Sequence, residues 1–423
     1  MNSYIVKGDF CYSEAKNKLK AVKNGYLVVE NGTIKGLYQS ICDEYKDLAV
    51  KDYTGKLIIP GLSDLHIHAP QYQFRGLWMD MELLEWLEKH TFPEEAKYKD
   101  MSYADIAYSI FTSDLLKTPT TRLSVFSSMH KNSTLLLMKK LSEAGFHGFV
   151  GKVNMDRNSP DYLREETSQS IEDTLSFLEE CSSIDNIKPI ITPRFIPSCS
   201  DFLLHELGKI SIEHNLPVQS HLSENLSEIE WVKELVPDAK CYADAYNIFN
   251  LWGKMPTIMA HCTWSEKFDD DYMDNKNIFI AHCPDSNTNL TSGVAAARYF
   301  LYKGGANIGL GTDIAAGSSP YLTRSITDAI HASKLRTRLS SDKDATLTFA
   351  ESFYMASIGG GRFFGKVGSF EPGYDADFSV LDESSLDSTL ENEFSIEERL
   401  ERYCYLASER PVLHKTIKGK ELF

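Results

Sequence analysis

Between residues 57 and 313 short apolar runs alternate with stretches whose apolar residues recur every three or four positions. Eight apolar runs stand out: 57 to 68, RLSVFSSM (122 to 129), GFVGKVNM (148 to 155), PIITPRFI (189 to 196), LPVQSHL (216 to 222), PTIMAHC (256 to 262), NIFIAHC (277 to 283) and ANIGLGTD (306 to 313). Between them lie segments with helical spacing, such as ADIAYSIFTSDLLK, SIEDTLSFLEECSS and LTRSITDAIHASKLR. Runs apolar throughout suit strands buried on both faces, and strand-helix alternation predicts a parallel sheet covered by helices. Eight such units favour a TIM-like (β/α)8 barrel over a doubly wound sheet.

The two ends read differently. Residues 4 to 55 carry YIVKGDFCY and GYLVVENGTIKGLY, the second folded at Asn31-Gly32, a type I′ hairpin signal. DADFSVLD (375 to 382) and PVLHKTIKGKEL (411 to 422) are strand-like again, with Gly368, Pro372 and Gly373 marking the entry. The expectation is a small composite β-sandwich built from both termini, residues 1–56 and 371–423, beside a barrel domain at 57–370.

Composition narrows the partners. Sixty acidic against 44 basic residues give a net charge of -16, which argues against a nucleic-acid backbone and against an anionic membrane surface. A neutral small molecule is the easier ligand. The eight cysteines show no C-x-x-C spacing, the N-terminal stretch has no signal-like apolar core, and no run of 18 apolar residues occurs, so a cytoplasmic protein with reduced thiols is expected.

The chemistry gathers at the ends of the apolar runs. His66 and His68 stand two apart on the first strand and point to one face, so both rings can converge on one ion. His221 ends the fifth run and Asp313 the eighth, and in a barrel these ends share one mouth. Three imidazoles and a carboxylate suit zinc, and also accept iron, with a position left for water. Glu224, three residues after His221 in HLSE, can take a proton from water activated at such an ion and pass it to a substrate; it can equally cap the helix LSEIEWVKEL. Two Ala-His-Cys triplets offer His261 or His282 to steady the developing oxyanion, and spacing does not choose between them. The other histidines have no partner pattern, although His130 follows the second strand directly.

Three residues suit a flat heterocycle. Arg194 offers a fork of donors to a carbonyl, Phe195 an apolar face, and Gln71 both donors and acceptors. Each also has a plain structural reading: a loop ion pair, core packing and a solvated amide. Residues 73 to 100, with Trp78, Trp86 and Phe92, follow the first strand and are placed to cover the mouth.

PGLSDLHIH, HLSE, AHC, AHCPDSN, GLGTD and GSFEPGYDADFSVLD, in this order across nearly the whole chain, resemble the amidohydrolase superfamily. HIHAPQY, LLEWLEKHTFPEEAKYKD, TPRF and HLSEN resemble its guanine-deaminating branch. That resemblance implies a mononuclear zinc barrel with a composite β-sandwich, usually dimeric, acting on guanine and water to give xanthine and ammonia in purine catabolism and salvage. Carried over, it implies His66, His68, His221 and Asp313 as ligands of one Zn2+ per chain. It implies Gln71, Arg194, Phe195 and Glu224 as guanine contacts, and Glu224, His261 and Asp313 as catalytic groups, which leaves His282 structural. The fourth run ends in Arg194-Phe195, where two-metal relatives carry a lysine, so a single ion is implied. Two alternatives stay open: a related aminohydrolase for another purine, a pterin or a triazine, and a non-catalytic barrel kept as a scaffold.

Overall fold

The computed structural model describes residues 3–341, 345–390 and 393–423. Eight parallel strands form a barrel. Leu62–His68, Thr120–Phe126, His147–Gly151 and Ile187–Pro189 pair in one segment, and Val218–Leu222, Thr257–His261, Ile278–His282 and Asn307–Leu310 in the other. Two seams join the segments. At one, Ile191 N donates to Pro217 O (3.0 Å) and Gln219 N to Ile191 O (2.9 Å). At the other, Asp313 N donates to His66 O (2.8 Å) and His68 N to Ile314 O (3.2 Å). The strands are almost wholly buried, which is why most read as apolar runs rather than alternating ones, and the polar residues they do carry, such as Ser124 and Gln219, hydrogen-bond to each other inside the barrel. Helices such as Met101–Leu116, Thr167–Glu180 and Leu322–Leu339 cover them where helical spacing predicts.

The paired strands are shorter than the apolar runs. The first run, 57 to 68, is divided: its start completes the strand Ala49–Pro60 of the terminal sheet, and the barrel begins at Leu62. Gly61 is the joint, where a Cβ would stand 2.1 Å from Thr121 Oγ1, so no other residue lets the two sheets approach so closely. The eighth strand ends at Leu310, and Asp313 lies three residues further on, in the loop. At the mouth the chain leaves the ladder early, freeing side chains for the site.

Both chain ends build one seven-stranded sheet among the described residues, ordered Lys420–Glu421, His414–Ile417, Phe378–Val380, Ala49–Pro60, Tyr4–Ala15, Lys18–Glu30, Thr33–Tyr38. This is the composite β unit expected from the two termini, its strands hydrogen-bonded as one sheet that curls over on itself. Ala376 N donates to Gly32 O (2.8 Å) and Gly419 N to Ala376 O (2.9 Å), so its two edges meet around a core of Val6, Phe10, Leu27, Phe370 and Phe378. Asn31 and Gly32 take φ of 53° and 79°, the left-handed pair that a type I′ hairpin requires.

A buried ion pair ties this sheet to the barrel. Arg122, on the second barrel strand, meets Asp377 (Nε to Oδ2, 2.8 Å) and Asp375 (Nη2 to Oδ2, 2.8 Å). Asp377 is fully buried, and burial pushes its carboxyl above the usual range while Arg122 opposes that rise. Replacing Arg122 with Ala leaves a buried carboxylate without its cation, and should lower the unfolding free energy by about 3–5 kcal/mol, read from urea denaturation.

Candidate active site

Three neighbouring imidazoles face one another at the barrel mouth. His66 Nε2 and His68 Nε2 lie 3.2 Å apart, His68 Nε2 and His221 Nε2 3.3 Å apart, and Asp313 Oδ1 stands 3.1 Å from His66 Nε2 and 3.5 Å from His68 Nε2. Burial lowers the pKa of all three rings, so they are neutral near pH 7. His221 Nδ1 sits 2.6 Å from Arg194 O, so it carries the proton and donates, leaving the Nε2 lone pair aimed at the cluster. Burial alone would raise the Asp313 carboxyl, but His66 and the other rings outweigh it and hold it well below the usual carboxylate range. The inward lone pair of His221 Nε2 and the Asp313 carboxylate are acceptors that a cation held among the rings would take up. Four tetrahedral ligands about 2.0–2.1 Å from zinc are spaced by about 3.3 Å, which the nitrogen separations match. The donor set therefore fits a divalent ion.

The join between the first and last strands sets this geometry. Asp64, two residues before His66 and so on the same face, accepts from His66 N (3.1 Å), Thr312 N (3.1 Å) and Thr312 Oγ1 (2.6 Å). The Asp313 loop then turns tightly: Asp313 has φ 49°, Gly317 N donates to Asp313 O (2.7 Å), and a Cβ on Gly317 would stand 1.9 Å from Thr312 O. His261 also takes a left-handed backbone, φ 71°, a strained arrangement that concentrates at functional sites.

Of the two Ala-His-Cys histidines, His261 reaches the cluster. Its Nε2 is 3.3 Å from Glu224 Oε2 and 3.7 Å from Asp313 Oδ2, while Nδ1 lies 2.9 Å from Asn287 Oδ1 and donates to it. His282 stands outside these contacts. Glu224 is not the helix cap: Asn225 caps Leu226–Leu235 in a capping box with Glu228, which releases the Glu224 side chain to the cavity. Burial, with the Asp313 charge adding to it, pushes the Glu224 carboxyl up to about 8, and Ser292 Oγ donates to Oε1 (3.1 Å).

Gln71, Arg194 and Phe195 line the same cavity, which also holds Leu83, Trp86, Leu87 and Leu290 and encloses about 410 Å³ of empty space, part of it open to solvent. Leu83, Trp86 and Leu87 belong to the 73 to 100 segment, so it does cover the mouth; Trp78 does not reach in, and stacks on His90 with ring centroids 4.0 Å apart. His130 begins the helix Lys131–Glu143, away from the cluster. Sequence reasoning missed Asp64, Glu95, Glu228, Asn287 and Ser292. Of these, Asp64 was readable from its parity with His66 and His68, and Glu95 from an acidic pair inside the apolar stretch FPEEAKY.

The amidohydrolase family profile matches residues 57–422. The chain belongs to the amidohydrolase family. A guanine deaminase from Dictyostelium discoideum is 35% identical to this amidohydrolase over 99% of this chain and 98% of the relative, and one from Escherichia coli K12 is 32% identical over 97% and 93%. Among solved structures, a guanine deaminase from C. acetobutylicum with bound guanine in the active site shares 44% identity and a TM-score of 0.96, with both chains covered completely. An E. coli guanine deaminase superposes with a TM-score of 0.88 at 30% identity, over 100% of this chain and 99% of that one.

Burial also holds His282 at a pKa of about 4, below an ordinary 6.5. The unfolded chain then takes up a proton that the folded amidohydrolase refuses, so this contribution to stability is complete above about pH 6.5 and is lost as pH falls toward 4. It amounts to about 3 kcal/mol for a fully buried ring. Urea midpoints measured from pH 7 to pH 4.5 should fall, and His282→Asn should flatten part of that slope.

Proposed function

We propose that this amidohydrolase is a guanine deaminase that holds one zinc ion and converts guanine and water to xanthine and ammonia. The observation that carries the reading is a single cavity in which the metal-fitting cluster and Glu224 face the ring-reading trio Gln71, Arg194 and Phe195. The full-length similarity to guanine deaminases supports the same substrate. In this reading His66, His68, His221 and Asp313 hold the zinc; iron suits the same ligands. Domains at 1–56, 57–370 and 371–423, with residues 57–60 assigned to the terminal sheet whose strand they complete, a homodimeric assembly and a cytoplasmic setting complete the proposal. No described helix is long and apolar enough to cross a membrane.

Bound zinc would supply the Lewis acidity that brings the pKa of a water toward about 7. Glu224 then takes the proton from the water that attacks C2 of guanine and delivers it to N3. Its Oε2 lies 3.3 Å from His261 Nε2 and its Oε1 accepts from Ser292 Oγ, contacts that hold a carboxyl able to exchange protons beside the metal-fitting cluster. His261 faces both Glu224 and Asp313 through Nε2, and Asn287 fixes its ring, so it orients the attacking water and steadies the charge that develops on its oxygen. As the tetrahedral intermediate collapses, the C2 hydroxyl gives up its proton, Glu224 relays it to the C2 amino nitrogen, the C–N bond breaks and ammonia leaves, while the C2 oxygen becomes the new carbonyl. Phe195 offers its face to the ring, and Arg194 donates to the O6 carbonyl. Adenine presents an amino group at C6, where those donors would meet another donor, a mismatch that costs several kcal/mol because the buried arginine cannot recruit water instead.

Ammonia release from guanine, adenine, 8-oxoguanine and cytosine, by protein of measured zinc content, tests the substrate. Guanine should be turned over far faster than the others; equal rates on another ring would transfer the assignment to that ring. Glu224→Gln should lower kcat by at least about 1,000-fold with zinc still bound. His221→Ala should lose the zinc itself, read by elemental analysis.

A further inference from the structure

Glu95 is fully buried, lies outside the metal-fitting cluster, and spends both oxygens on the residues proposed to read the ring. Its carboxylate accepts from Arg194 Nη1 through Oε2 (2.5 Å) and from Arg194 Nη2 through Oε1 (3.1 Å), and Oε1 also accepts from Gln71 Nε2 (3.0 Å). Ala315 N donates to Gln71 Oε1 (3.2 Å), so the Gln71 amide is pinned at both ends and its orientation is set. The Arg194 guanidinium also lies 5.1 Å from the centre of the Phe92 ring. Phe92 and Glu95 share the short helix Phe92–Ala96, in the same segment as Leu83, Trp86 and Leu87 on the cavity wall.

Two consequences follow from this arrangement. A bidentate carboxylate fixes the plane and roll of a guanidinium, which a flexible arginine lacks by itself. It also cancels the arginine's charge inside a buried pocket, so that the pocket presents oriented donors without a net cation. A neutral purine gains from oriented donors, whereas an anion gains from an uncompensated charge. Guanine is neutral, and the dioxo product xanthine is more acidic and partly anionic near neutral pH. We propose that Glu95 is a positioning and charge-compensating residue that makes the Arg194–Gln71 pair favour the neutral substrate over the anionic product.

This inference rests on guanine being the substrate, which turnover of guanine by the wild-type protein tests separately. Glu95→Gln keeps the shape and loses the charge; Glu95→Asp keeps the charge and shortens the reach. With zinc content and the far-ultraviolet circular dichroism unchanged, Glu95→Gln should raise KM for guanine about 10- to 100-fold and move kcat by less than about threefold. Xanthine should meanwhile inhibit it more tightly than wild type, by about tenfold, increasingly so as pH rises and the product ionises. Glu95→Asp should return xanthine inhibition toward the wild-type value while KM stays raised. In an Arg194→Met background, Glu95→Gln should change KM by less than about threefold, because the residue acts through the arginine. KM and xanthine inhibition within twofold of wild type in folded, zinc-loaded Glu95→Gln would overturn the proposal. So would a loss confined to kcat, or a full effect in the Arg194→Met background. If Glu95→Gln does not fold, Glu95→Asp with wild-type KM overturns it and with raised KM supports it.

Discussion

The join between the first and the last barrel strands is the constraint on which the rest depends. A buried carboxylate, Asp64, holds His66 N on one side and both Thr312 N and Thr312 Oγ1 on the other, and Asp313 N closes on His66 O beside it. Burying Asp64 is costly, enough to push its carboxyl up to about 6, and the three donors offset that cost only while the strands stay in register. The return is positional: His66 Nε2 and Asp313 Oδ1, 247 residues apart in sequence, end 3.1 Å apart. His68, His221 and His261 then converge on a point that this seam has already set.

Around that point the polar groups are held by neighbours that do not themselves enter the cluster. His221 is oriented by the Arg194 carbonyl, His261 by Asn287, Gln71 and Arg194 by Glu95, and Glu224 is left free because Asn225 and Glu228 satisfy the helix start. A buried polar group without a partner costs about 1–3 kcal/mol, so this shell both stabilises the site and limits each side chain to one orientation. The apolar wall of Leu83, Trp86, Leu87 and Leu290 keeps water scarce, which strengthens every electrostatic contact inside. The raised Glu224 pKa and the neutral imidazoles share that cause.

The terminal sheet contributes differently. It curls into its own core, meets the barrel through Arg122, Asp375 and Asp377, and supplies none of the residues lining the cavity. The first of its two covalent links passes through Gly61, one residue before the strand that carries His66 and His68, so the sheet anchors the base of that strand while the chemistry sits at the opposite end.

Local pattern carried much of this. Eight largely apolar runs with helical spacing between them specified the barrel, because a strand buried on both faces is mostly apolar and its few polar side chains must find partners inside. Asn31-Gly32 specified its hairpin, because only residues tolerant of positive φ can make that turn. Period two placed His66 and His68 on one face, and the resemblance in HLSE, TPRF and GLGTD pointed to the remaining candidates. Spacing alone could not choose His261 over His282, tell a helix cap from a free carboxylate at Glu224, place Asp313 in a loop beyond its strand, or divide 57 to 68 at Gly61. Nor did it find Glu95, whose partners are 24 and 99 residues away. These depend on distances between segments remote in the chain, which exist only once the barrel closes and brings separate strand ends to one mouth.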